Sequence, residues 1–546
     1  MTGVQTCALP IYEAYAYLSK ATWSQAWKGP GYYSLAEIAA ARGDMAAALD
    51  LVNRSIDSNA LNIRAQNLRA SVLRHLGRPE EALQVLATAH RADPLDTRST
   101  AENWLASRSP VAARTFASTM SNHPATAQET AAEYMDAGLW QDGTNVLLQL
   151  IAAAPDKAKI HPLAYYYLGY FAGKLGDAKK ECDYDELAMA MPPDYVFPFQ
   201  NEAIDVLRAA MKANPHDARA PYYLGNLLYD WQPEEATKMW EASAAIDPSF
   251  AIVHRNLATA YAHQKPQPDL NRAIAEMEKA VSAERKYPLH FTELAELYEQ
   301  AGTPLEQRLP FFSQNAAVVA QRDDAQNRFI ALKIATGAYD EAIRMMTGRQ
   351  FAVAEGANLN VTEHWTDAHI FLARRDVEAK RYRDALGDLQ GAVTIPSNLP
   401  LGAAGDGAAM RNAEVAYWTG VAYEGLGDHP KAVEAWQRAE GPVQAGTRRR
   451  RQMMGGGTQP YFQALALQKL GQADKAKALF ASLVDSGKAA LATGSPSRTR
   501  LADAHYLMGL GYLGLDDRAE AKAELSQAVE ITPDLAGARV ALATMR

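Results

Sequence analysis

The chain has 546 residues but only two cysteines, Cys7 and Cys182. That excludes a disulfide framework and any zinc site built on a cysteine cluster. An excess of positive charge is also missing: 55 Lys and Arg stand against 63 Asp and Glu, a net charge of −8. Such a balance argues against a surface for nucleic acid or for an anionic membrane. Apolar runs are short. Val146–Ala154 is among the longest and falls far below the roughly 20 residues that cross a bilayer, so no membrane span is expected. The scarcity of cysteine favours a reducing compartment, such as the cytoplasm, without fixing it.

The first eleven residues, Met1-Thr-Gly-Val-Gln-Thr-Cys-Ala-Leu-Pro-Ile11, resemble translated sequencing-adapter sequence fused to a reading frame. They have neither the basic start nor the apolar core of a signal peptide. Residues 1–11 are therefore expected to be non-native, with the native start upstream, and fold reasoning begins at Tyr12.

What is present is periodic. Hydrophobic residues make up 48% and charged residues 22%, an ordinary mixture for a folded protein, and the length exceeds one compact core. Gly43 is followed five residues later by Ala48, and Gly77 by Ala82, the two pairs lying 34 residues apart. The same step recurs at Gly337/Ala342, Gly427/Ala432 and Gly471/Ala476, and at Asp516/Ala521 with the glycine replaced. A bulky residue precedes a Leu-Gly pair by three in Tyr165-Tyr-Tyr-Leu168-Gly169, with related copies at Tyr222-Tyr-Leu-Gly225 and His254-Arg-Asn-Leu257-Ala258. Alanine is followed four residues on by a large apolar residue at Ala236/Trp240, Ala273/Met277, Ala432/Trp436 and Ala476/Phe480. Pro94, Pro215, Pro248 and Pro533 then end helices.

These spacings resemble the tetratricopeptide repeat. The resemblance implies an all-α, right-handed superhelical solenoid of about eleven helical hairpins between Tyr12 and Arg546. Some are degenerate, as where Gly143 replaces alanine or Lys180–Ala188 departs from the second-helix pattern. Gly169, Gly225, Ala258 and Gly420 are expected to let paired helices approach closely. Residues 12–156, 157–346 and 347–546 form N-terminal, central and C-terminal groups of repeats. Loops are expected near 192–201, 347–365, 397–412, 441–460 and 486–500.

Residues 12–546 further resemble the helical half of bacterial proteins that carry the domain of unknown function 5107. The matching residues are Asn214-Pro-His-Asp-Ala-Arg219 running into Tyr222–Asp230, then Gln321-Arg-Asp-Asp324, Arg349-Gln-Phe351 with Glu355-Gly356, and Pro396-Ser-Asn398-Leu399. Tyr417, Gly420 and Ala422-Tyr-Glu-Gly-Leu-Gly-Asp428 complete the set. The resemblance implies a large β-rich domain upstream, akin to carbohydrate-processing folds, and no known activity for the helical half. Where the family has tryptophan and several glycines, this chain reads Ala352-Val-Ala-Glu355-Gly-Ala-Asn358, which departs from a ligand loop.

Chemical motifs are sparse. Gly509-Leu-Gly511-Tyr-Leu-Gly514 has dinucleotide-fingerprint spacing but falls inside a helical repeat instead of after a strand, so no cofactor is expected. Gly173-Lys174 lacks the upstream glycine of a phosphate-binding loop. His364 and His369, with Glu363 and Asp367 between or beside them, are five apart and miss the metal-binding HExxH spacing; no metal and no catalytic residue is assigned. Arg448-Arg-Arg-Arg451, flanked by glycines, reads as a solvated loop or as a dock for an acidic partner.

Aromatic crowding marks the candidate binding surface. Tyr166, Tyr167, Tyr170, Tyr222, Tyr223 and Tyr229, with Asn226 and Asn256, are expected to face a concave groove. The alternative for the tyrosines is packing between hairpins. The asparagines resemble part of the clamp by which chaperone-binding members hold a terminal carboxylate. Tyr222 replaces its lysine and the next helix offers Leu289 and Glu293, so no such clamp is expected. The reading is a noncatalytic protein- or peptide-binding scaffold. The alternative is an accessory region of a carbohydrate-active protein, contacting glycan or its own upstream domain.

Overall fold

The computed structural model describes residues 11–120, 123–352, 360–399, 411–440, 456–492 and 497–545. Among them lie thirty α-helices and no strand, as the all-α expectation requires. The chain divides into two compact units, Met1–Leu257 and Ala258–Arg546, the division falling within the helix Ala251–Ala262.

The turn inside each hairpin explains the five-residue step. Gly43, Gly77, Gly337, Gly427 and Gly471 all have φ between 72° and 83°, the left-handed conformation that ends a helix. The residue after each glycine donates its N–H to the carbonyl five positions back, as Asp44 does to Ala39 and Asp428 to Tyr423. That bond satisfies an orphan carbonyl of the first helix. Asp44, Asp177 and Asp517 then accept the N–H three residues on and open the second helix. Asp516 keeps a left-handed φ of 62°, and Lys380 does so at 60°, so the degenerate turns keep the backbone after losing the glycine.

The small residues of the first helices are slots for second-helix side chains. A Cβ on Gly225 would fall 2.4 Å from Trp240 Nε1, and one on Gly420 would fall 2.2 Å from Trp436 Nε1. Both tryptophans are buried, and both indoles donate to first-helix carbonyls, Tyr222 and Tyr417, at 3.3 Å. Ala236 and Ala432, one turn earlier, are buried without remainder.

In the first unit, hairpins are further tied by a buried ionic network. Arg74 donates to Glu102 at 3.1 Å and to Asp142 at 2.7 Å, and Ser71 Oγ donates to Glu102 at 2.6 Å. Between the helices Ala178–Ala190 and Glu202–Ala213 the chain runs extended, burying Val196 and Pro198 while Tyr195, Phe197 and Phe199 face solvent. This is the loop expected near 192–201.

The second unit closes on itself. Ala536 and Val540 of the last helix, Ala536–Ala543, pack against the core of Ile330, Ile334, Phe351 and Phe371. Arg308, almost fully buried, donates to Asp534 at 3.0 Å and to Glu299 at 3.4 Å. Arg498 reaches the carbonyls of Gln300 and Ile531. One expected break moves. The helix Ala473–Ala492 runs straight through Gly487, so the loop near 486–500 starts later than expected. Gly487 is a packing residue, because a Cβ there would meet Met508 at 2.3 Å. Most of the breaks near 397–412 and 441–460 lies outside the described residues.

Candidate functional site

The structure divides the sequence-predicted residues into four buried rings and four partly exposed side chains. Tyr166, Tyr167 and Tyr223 have no exposed surface, and Tyr222 is buried too, so for these four rings the packing alternative holds. Tyr166 lies edge-on to Tyr223 at 6.2 Å, Tyr223 touches Tyr222 at 5.1 Å, and Tyr222 meets Phe250 at 4.9 Å. The result is an aromatic ladder between consecutive hairpins, each pair adding about 0.5–1.5 kcal/mol beyond its burial. Tyr170, Asn226, Tyr229 and Asn256 stay partly exposed. Tyr170 packs edge-on to Trp140, and Tyr229 lies 5.0 Å from Trp240.

The two asparagines do come together. Asn256 Nδ2 donates to Asn226 Oδ1 at 3.0 Å, and Trp240 Nε1 donates to the same oxygen at 3.1 Å. Asn226 therefore straps its own hairpin to the next one while remaining at the surface. Tyr166 donates to Asp217 at 2.6 Å, and Asp217 also accepts the N–H groups of Arg219 and Ala220 at the start of the next helix. The Asn214–Arg219 segment thus sets the angle at which Tyr222 and Tyr223 enter.

Acidic groups gather around Arg64 in the first unit. Arg64 lies 3.6 Å from Glu133 and 3.9 Å from Asp136. Burial and the Asp136 charge push the Glu37 carboxyl up to about 8, and burial with the Glu202 charge pushes Asp136 up to about 6. Glu37 of the helix Lys28–Ala41 and Glu133 and Asp136 of the helix Pro124–Asp136 gather around Arg64, with Arg98 3.8 Å from Glu133 on the buried side.

One degenerate repeat carries an unpaired acid. Asp185 occupies against Gly169 the slot that Trp240 fills against Gly225, and a Cβ on Gly169 would lie 2.4 Å from its Oδ1. That oxygen is buried with no hydrogen-bond partner. Burial, then the charges of Glu181 and Asp217, push the carboxyl up to about 7. A carboxyl whose folded pKa exceeds its unfolded value near 4 favours the folded state in its protonated form. Its contribution therefore falls as pH rises from about 4 to about 7. Replacing Asp185 with Asn is expected to flatten that part of the pH dependence and to raise the urea midpoint at pH 8. Glu37 and Asp136 contribute slopes of the same sign and remain in the variant. Urea unfolding at pH 5 and pH 8 reads both effects.

Three of the segments behind the 5107-family resemblance, around Asp323, Arg349–Phe351 and Asn398, meet in the second unit. Asn398 Nδ2 donates to the carbonyls of Met346 at 2.9 Å and Arg349 at 2.7 Å. Phe351 N–H donates to Asn398 O, and Ala352 N–H to Asp323, which also pairs with Arg349. Phe351 and Leu399 are buried in one core. These residues lock a loop crossing. Asn398→Ala is expected to cost about 2 kcal/mol, since two carbonyls lose their donor, and thermal unfolding measures it.

The remaining motifs have structural places. Gly509, Gly511 and Gly514 lie within the helix Arg498–Gly514, where Cβ atoms would strike Leu525, Val484 and Phe480. Helix packing explains their spacing. His364 and His369 both lie within the helix Val361–Glu378; His369 lies edge-on to Trp365 and 3.3 Å from Asp388. Burial lowers the His364 pKa. No metal-binding group of three or more His, Cys, Asp or Glu occurs among the described residues. Arg448–Arg451 lies outside them. Cys182 is exposed and free. No helix among the described residues is long and apolar enough to cross a membrane.

Hairpins joined by left-handed turns, with a second-helix ring seated on a first-helix glycine, define a helical-hairpin repeat protein. Tetratricopeptide-repeat family models match residues 33–97 and 502–535, near the two ends of the chain. The chain therefore carries tetratricopeptide repeats. Among solved structures it is similar to the complex of Cut9 with Hcn1, at 12% identity over 93% of this chain and 94% of that one, with a TM-score of 0.25. It is similar to the P58(IPK) TPR domain, at 12% identity over 82% and 99%, with a TM-score of 0.19. A third likeness is to YrrB, described as a TPR protein with an unusual peptide-binding site, at 16% identity over 44% and 95%, with a TM-score of 0.17. These likenesses concern the repeat fold alone.

Proposed function

We propose that this chain is a noncatalytic scaffold that holds a partner protein, as an extended segment, against the first helices of its hairpins. The observation that carries the reading is the edge formed by Tyr170, Asn226, Tyr229 and Asn256. These four partly exposed groups project from three first helices, Pro162–Lys174, Arg219–Leu228 and Ala251–Ala262. Tyrosine and asparagine there offer broad contact and adaptable hydrogen bonding with little entropy to lose. The buried ladder of Tyr166, Tyr223, Tyr222 and Phe250 ties those hairpins together beneath that edge. The excess of acidic over basic residues, 63 against 55, repels polyanions, which supports a protein over a nucleic acid as partner. The relation to the 5107 family belongs to this proposal and rests on the residues that meet around Asn398.

The test is capture of partners by the full chain beside a Tyr170→Ala/Tyr229→Ala/Asn256→Ala variant of unchanged helicity. The reading expects a specific protein held by the wild type and lost by the variant. Equal capture by both would remove this edge as the binding surface.

A further inference from the structure

The second unit carries a group of hydrogen-bond donors with nothing to donate to. Arg374 lies on the helix Val361–Glu378, and its guanidinium sits 5.0 Å over the ring of Trp418 on the helix Asn412–Gly425. Every other arginine described around it is committed. Arg375 pairs with Asp340, Arg381 with Asp376, and Arg411 with both Asp367 and Glu414. Arg374 makes no ion pair or hydrogen bond among the described residues, and its Nε is buried without a partner. Trp418 Nε1 is likewise buried and unpartnered.

Three phenols complete the group. Tyr417, Tyr461 and Tyr506 come from consecutive first helices, Asn412–Gly425, Gln459–Lys469 and Arg498–Gly514. The Arg374 charge acts on all three hydroxyls. Burial raises their pKa values, Tyr417 to about 12, so all three stay protonated and able to donate. The nearby acceptors, Asp367 and Glu414, are already engaged by Arg411. Arg374, Arg411, Asp367 and Glu414 sum to zero charge, and Arg374 is the one of the four with no ion-pair partner among the described residues. A guanidinium stacked on an indole, beside neutral donors and short of acceptors, has the chemistry of an oxyanion site.

We propose that Arg374, with Trp418 and the hydroxyls of Tyr417, Tyr461 and Tyr506, binds an oxyanion on the second unit. Its source is a carboxylate on an acidic peptide segment or a free ion such as sulfate. The proposal deepens the scaffold reading and rests on it only for the first source. The guanidinium supplies charge and a planar pair of donors, and the phenols supply the rest of the shell.

The experiment uses the full chain and three probes: sodium sulfate, a fluorescein-labelled Gly-Glu-Phe-Glu-Gly peptide amide, and its glutamine counterpart. The variants are Arg374→Gln, Arg374→Lys and Trp418→Phe, each checked for unchanged helicity. Binding is read by anisotropy, and sulfate by competition and by thermal shift against chloride at equal ionic strength. The site predicts that Arg374→Gln weakens the anionic probe by about tenfold or more, with partial recovery in Arg374→Lys. Trp418→Phe weakens it less. An acidic peptide bound at least about tenfold tighter than sulfate identifies a peptide carboxylate; sulfate saturating equally well identifies a free ion. Equal binding of the glutamic and glutamine peptides, binding indifferent to Arg374→Gln, or no binding of any probe would overturn the site. Binding of both peptides with that indifference would leave the scaffold reading standing.

Discussion

Trp240→Ala is expected to destabilise the first unit by about 3–5 kcal/mol, the range for removing a large ring from a packed core. The indole fills the slot over Gly225 and donates to Tyr222 O and Asn226 Oδ1, so the variant loses volume and two hydrogen bonds together. Its loss also leaves Asn226 Oδ1 with Asn256 as its remaining donor and takes from Tyr229 its neighbouring ring. Trp240→Phe keeps most of the volume and should cost less, about 1–2 kcal/mol. Gly225→Ala attacks the same slot from the other side, because its Cβ has no room beside the indole. Urea unfolding followed by circular dichroism measures all three. A Trp240→Ala midpoint within error of the wild type would mean that the ring does not hold the hairpin.

Arg308→Ala should cost about 3 kcal/mol in the second unit. Removing one partner of a buried pair strands the charges it served, here Asp534 and Glu299. The two carboxylates keep some solvent contact, which places the cost at the lower end of that class. Because Arg308 ties the last helix to the start of the unit, the loss should be local first. Amide exchange in Ala536–Ala543 should accelerate before the rest of the unit responds. Arg308→Met, which keeps the stem and removes the charge, should lie between the two. Uniform acceleration across the unit would contradict the closing role of this arginine.

Much of the fold was legible because the repeat encodes backbone conformation. A glycine five residues ahead of an alanine marks a left-handed turn followed by a packing position, and every such glycine in the sequence pattern adopts that turn. Gly138/Gly143, Gly176/Glu181 and Lys380/Ala385 keep the same step with a residue changed, so the geometry is broader than the pattern that reveals it. Proline and glycine composition misplaced the end of the helix Ala473–Ala492, because Gly487 meets a neighbouring helix and not a turn. Composition near a residue cannot tell those two uses of glycine apart.

The candidate surface was legible only in part. The run Tyr165-Tyr-Tyr-Leu-Gly169 announces a first helix, but three adjacent tyrosines point in three directions, and the burial of Tyr166 depends on a ring of the next hairpin. Tyr166 is sealed by Tyr223 and bonded to Asp217, neither of which local spacing can place beside it. Asp185 was visible only as a poor match to the second-helix pattern, and the structure shows why: a carboxyl stands where a large ring belongs. Arg374 gave no signal, because an unpaired arginine is defined by what fails to come near it.

The most direct measurement of the central claim is hydrogen exchange of the full chain, alone and with a captured partner. Binding along the first helices predicts protection concentrated in Pro162–Lys174, Arg219–Leu228 and Ala251–Ala262, with the second helices Ala178–Ala190 and Pro233–Ile246 nearly unchanged. Protection confined to those second helices, or none above the unbound chain, would contradict it.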